Sequence, residues 1–99
     1  MPYVLAFNRV AIEPKIERLS AYLGLKPDFR AFVDWVLELR VALGVPHTLA
    51  GLKVGDDKFA LMSQMAPKDP TAGGNPIALD EANCLALYRD ALGGRLALN

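Results

Sequence analysis

The sequence predicts an all-α fold, a small bundle of about five to six helices in 99 residues. Three observations carry that expectation. Apolar residues recur at spacings of three and four, the period that gathers side chains on one face of a helix. No stretch alternates apolar and polar residues long enough for a half-buried strand. Glycine and proline fall between the periodic stretches, where helices are expected to stop. The length suits a single domain covering residues 1–99. At 53% hydrophobic and 22% charged, the composition excludes disorder. It also implies apolar surface that faces another domain or subunit.

Taken in order, Pro2 to Asn8 reads as a short apolar piece, the tail of a helix. Ile12, Ile16, Leu19 and Leu23 then fall at i, i+4, i+7 and i+11, with Glu13, Lys15, Glu17 and Arg18 off that line. A helix is expected over about Ala11 to Leu23, with Pro14 in its first turn, where the missing N–H costs nothing. Gly24 suits the residue just past its end. Asp28, preceded by Pro27, is a good N-cap for a helix running to about Leu43, with Gly44 and Pro46 as stop signals. The polar stripe of this helix is narrow: Arg30, Asp34 and Glu38. Apolar residues from Phe29 to Leu43 take most of the remaining circumference, so it is expected to be central and buried on several sides.

Thr48 to Leu52 suits a single helical turn capped by Thr48. Asp56 is placed to cap a helix that carries Phe59, Met62 and Met65 as one core stripe and ends at Pro67. Asp80 caps the last helix, with Asn83 at the third position and Leu79 placed to staple onto Cys84. Leu85, Tyr88, Ala91 and Leu92 form its inner face, and Gly93 and Gly94 end it.

Charge and hydropathy narrow the partners. Eleven basic and eleven acidic residues cancel, and no basic stripe suits a phosphate backbone, so nucleic acid is not expected. No apolar run approaches the roughly 18 residues of a membrane span. The first residues, M-P-Y-V-L-A-F-N-R, lack the charged and apolar regions of a signal peptide. One cysteine makes no internal disulfide. Together these place the chain in the cytoplasm.

Few residues invite chemistry. A zinc or iron site needs three or four convergent His, Cys, Asp or Glu ligands. His47 is the single histidine, in the turn V-P-H-T-L, and is expected to bond backbone near the Thr48 cap. Cys84 reads as a small buried hydrophobe, since a nucleophile needs a base and His47 is the sole candidate. The pairs Asp56–Asp57 and Asp80–Glu81 fall where helices begin, so helix capping explains them better than acid–base catalysis. The most specified segment is D-P-T-A-G-G-N-P, Asp69 to Pro76, whose glycines and prolines mark a special-geometry turn between two helices. It is no phosphate cradle: no strand precedes it and no Lys-Ser or Lys-Thr follows.

The segments in order resemble the C-terminal end of the iron-containing (group III) alcohol dehydrogenases, relatives of dehydroquinate synthase and glycerol dehydrogenase. M-P-Y-V-L-A-F-N-R, Met1 to Arg9, looks like the family's L-P-x-V-x-x-F-N. L-G-V-P-H-T-L-A-G-L, Leu43 to Leu52, looks like L-G-[IV]-P-x-T-L-x-x-L. The Asp69 to Pro76 loop looks like D-x-C-x-x-x-N-P, with Thr71 at the cysteine position, and Asp80 to Leu92 looks like the closing helix. The resemblance implies an enzyme that moves a hydride between NAD(P) and an alcohol or carbonyl. A Rossmann-like domain binds the cofactor and a helical domain holds a divalent metal, iron or zinc, on one Asp and three His. The last ligand lies in an H-G-x-x-N-A helix just before the segment matched by Met1 to Asn8. By that comparison these residues are the last part of the helical domain, without metal ligands, cofactor site or catalytic residues, and are inactive alone. Thr71 is implied to line the substrate pocket, with Gly73, Gly74, Asn75 and Pro76 shaping the loop. The partners expected are the N-terminal cofactor domain and further copies of the chain, a homo-oligomer formed through exposed apolar helix faces. The alternative reading is an independent helical interaction or dimerisation module.

Overall fold

In a computed structural model, residues 1–98 are described. Among them lie four α-helices: α1 (Pro2–Tyr22), α2 (Phe29–Ala42), α3 (Phe59–Met65) and α4 (Glu81–Gly93). Three single 3₁₀ turns, Ala50–Leu52, Ala66–Lys68 and Ala72–Gly74, join them, and the described residues contain no strand. The all-α expectation holds. Five or six helices become four, because several predicted elements are single turns or parts of one helix. The chain divides into two compact units, Met1–Pro46 with the residues from Leu96 onward, and His47–Arg95.

In the first unit, the pieces expected over Pro2–Asn8 and Ala11–Leu23 are one continuous helix, so Pro14 lies in its interior instead of its first turn. A proline there removes one backbone bond and crowds the preceding turn. Anchors on both sides hold the helix through it: Tyr3 and Asn8 are buried before Pro14 and Ser20 after it. The expected apolar line is only partly inward. Ile12 and Ile16 are half-buried, whereas Leu19 and Leu23 are exposed. The fully buried residue at that end is Ser20, whose hydroxyl donates to the Lys26 carbonyl at 2.9 Å. Gly24, at φ 77°, ends the helix with Leu25 N–H donating to the Ser20 carbonyl and Gly24 N–H to Ala21.

α2 begins as predicted. The Asp28 carboxylate accepts the Ala31 N–H at 2.6 Å, and Gly44 closes the far end. Its burial differs from expectation. Phe29, Phe32, Val33 and Val36 are buried, while Trp35, Leu39, Val41 and Leu43 are exposed. The packed partner is α1, and one helix covers one stripe of another, so an apolar circumference does not make α2 central here. Arg9 of α1 lies over the Phe29 ring, 5.1 Å from its centroid. The same guanidinium pairs with Glu13 through two bonds of 3.1 and 2.9 Å and donates to the Leu98 carbonyl, tying the chain's end to α1.

In the second unit, α3 starts at Phe59 behind Lys58, and no side chain caps it. Asp56 contributes only its backbone carbonyl, to Phe59 N–H at 3.1 Å, because it lies too far upstream for its carboxylate to act as the cap. Pro67 falls within the Ala66–Lys68 turn that directly follows α3. Phe59 is buried with its ring 5.4 Å from Tyr88 of α4, and the Ser63 hydroxyl donates to the Phe59 carbonyl. Met62 is half-buried and Met65 exposed, so the predicted stripe is core at its first residue only.

α4 carries the predicted capping box: Asn83 N–H donates to Asp80 Oδ1 at 2.8 Å, and Asp80 N–H to Asn83 Oδ1 at 2.9 Å. Cys84 is buried, and Leu85, Tyr88, Ala91 and Leu92 are half-buried. The turn after His47 docks on the other end of this helix. Leu49 N–H donates to the Ala91 carbonyl at 2.9 Å; Thr48 Oγ1 accepts Gly51 N–H at 2.9 Å, while the turn is the shorter Ala50–Leu52 with Leu49 at its N-cap position.

Two substitutions test these helix ends. Gly94 has φ 79°, and a Cβ there would stand 2.9 Å from Thr48 Cγ2 and 3.0 Å from the His47 ring. Gly94→Ala is therefore expected to cost about 1–2 kcal/mol, read by urea unfolding; an unchanged midpoint would remove Gly94 as the required C-cap. The Asp28 carboxyl is held below its ordinary pKa, first by the Ala31 N–H and then by Lys26 and Arg9. Because the folded value is depressed, the stabilisation is present above the unfolded pKa of about 3.9 and lost as pH falls through the folded value. Asp28→Ala should lower the melting temperature at neutral pH, and the deficit should shrink below about pH 4; a deficit independent of pH would contradict the charged cap.

Candidate functional site

The segment from Asp69 to Pro76 links the end of α3 to the start of α4. Asp69 organises its first half. One carboxylate oxygen accepts both Thr71 N–H at 2.8 Å and Thr71 Oγ1–H at 2.5 Å, a side-chain turn typical of aspartate. These two bonds, the hydroxyl's first, hold the Asp69 carboxyl below its ordinary pKa. The Ala72–Gly74 turn follows, and Asn75 closes the loop by donating its side-chain amide to the Ile77 carbonyl at 2.6 Å. Gly73 and Gly74 have no positive φ, and a Cβ on either would meet nothing within 4 Å. The special geometry expected of this loop is therefore not a positive φ at its glycines. Its compactness comes from the hydrogen bonds of Asp69 and Asn75.

Two concavities flank the loop, both within the second unit. An open groove of about 690 Å³ runs between α3 and α4, lined by Met62, Met65, Ala66, Lys68, Asp69 and Tyr88. Its walls are thioether, methyl and aromatic surface, with one cation and one anion at the rim. A smaller hollow of about 420 Å³ is lined by Gly73, Asn75 and Pro76 together with Pro67, Ala72, Ala78 and Leu79. Thr71 is exposed and lines neither. Its hydroxyl proton is engaged by Asp69, so the oxygen can meet another molecule as an acceptor.

Asp69 and Tyr88, neither of them an expected site residue, come together at one groove, and Thr71 does not line it. A signal for Asp69 was available. Aspartate two residues before threonine in a turn is the pattern in which the carboxylate accepts the i+2 N–H. Nothing local marks Tyr88, because its place depends on how α4 packs against α3.

His47 and Cys84, the other candidates, take up contacts within the fold. His47 Nε2 lies 3.0 Å from the Gly94 carbonyl, so it meets the C-terminal end of α4. Cys84 is buried, which pushes its thiol pKa up, with the Asp80 charge adding to the effect; a raised pKa disfavours the thiolate needed for attack. Among the described residues, no three or more His, Cys, Asp or Glu side chains gather where they could hold a metal ion. No described helix is long and apolar enough to cross a membrane.

Comparison with known proteins agrees with the resemblance read from the motifs. The sequence profile described as "Fe-containing alcohol dehydrogenase family, C-terminal" matches residues 1–92. A 1,3-propanediol dehydrogenase from Citrobacter freundii is 26% identical over 98 residues, covering 92% of this chain and 25% of the relative. The chain thus spans about a quarter of the length of that curated relative. No solved structure gives a significant match. With its helical fold, its capped closing helix and a profile match over nearly its whole length, the chain belongs to the iron-containing alcohol dehydrogenase family and corresponds to that family's C-terminal part.

Proposed function

We propose that this chain is the closing part of the helical domain of an alcohol dehydrogenase that exchanges a hydride between an alcohol or carbonyl and NAD(P). The observation that carries the reading is the family match over residues 1–92. The name of the relative, a 1,3-propanediol dehydrogenase, suggests a small alcohol as substrate. In this reading the Asp69–Pro76 loop forms one wall of the alcohol pocket, beside the groove between α3 and α4. Thr71 Oγ1, with its proton committed to Asp69, would accept a hydrogen bond from a substrate hydroxyl. The single unpaired cysteine supports residence in the cytoplasm.

The family description names iron, but the residues of this chain do not fit a metal. Its one histidine meets a helix end, its one cysteine is buried, and no ligand cluster forms among the described residues. Metal and nicotinamide would be held by residues outside this sequence. The 99-residue chain supplied with Fe²⁺ or Zn²⁺, NAD⁺ or NADP⁺ and 1,3-propanediol is accordingly expected to show no formation of reduced cofactor at 340 nm. Turnover by the chain alone would overturn this assignment.

The pocket-wall role has its own test. In a dehydrogenase carrying this chain as its C-terminal part, Thr71→Val should raise KM for the alcohol about tenfold. That is the loss expected of one hydrogen bond worth about 1.4 kcal/mol. Unaltered kinetics would reduce the loop to packing.

We also propose that the isolated chain self-associates. Trp35 and Leu39 on α2 and Leu43 at its C-cap follow one another at spacing four and are all exposed, together with Val10 and Tyr22 on α1. Apolar surface of this kind favours contact with another protein surface. Light scattering at high concentration should return a mass of at least twice 10.8 kDa. A monomer throughout would refute the proposal.

A further inference from the structure

We draw no further inference here: the strongest candidate, the open groove between α3 and α4 lined by Met62, Met65, Lys68, Asp69 and Tyr88, belongs to the site already described.

Discussion

Phe29 is the residue on which the first unit turns. It stands at the first helical position of α2, directly behind the Asp28 cap, and is almost completely removed from water. Burying a phenylalanine side chain contributes on the order of 1.5–3 kcal/mol, a large share for a unit with so few buried side chains. Its ring also carries the Arg9 guanidinium, which reaches from there to Glu13 and to the Leu98 carbonyl. Phe29 thus links the start of α2 to Arg9 of α1, and through Arg9 to Leu98. Phe59 has the corresponding place in the second unit: it too opens a helix, is buried, and sets the approach of α4 through Tyr88.

The candidate site inherits its shape from that second pairing. Phe59 and Tyr88 bring α3 and α4 together, and the groove is the space left beside them. The loop crosses between the same two helices, so its ends are held by the Ala66–Lys68 turn and by the Asp80–Asn83 box. Asp69 has two roles: its backbone follows the Ala66–Lys68 turn, and its carboxylate orders Thr71. The loop between this packed helix pair is specified by short-range hydrogen bonds of Asp69 and Asn75.

The legible parts of the sequence were those whose physics is local. Asp28, Thr48, Asp80 with Asn83, Gly24, Gly44 and Gly94 all sit where their side-chain or φ preferences place them, because a cap is decided within four or five residues. Asp56 failed for the same reason in reverse: a good capping residue means little when the helix starts two residues further on. Pro14 failed because its local cost was outweighed by burial at both ends of α1. The site was only half legible. The motif located the loop, yet its glycines proved unremarkable in conformation, and the groove beside it draws on Tyr88, nineteen residues beyond Asp69.

By itself the sequence determined the helical class, most helix ends and, through four ordered motifs, the family. These depend on short-range spacing and on residue identity. Which apolar residues are buried depends instead on long-range packing. Trp35 and Val36 are adjacent and both apolar, yet one is exposed and the other is not, because α1 covers a single stripe of α2. The same holds for Phe59 and Met65 on α3, and for the exposed Leu19 and Ala21 against Ser20 between them, which is buried and donates to the Lys26 carbonyl. Burial is a property of pairs of elements, and periodicity names a face without naming what will lie against it.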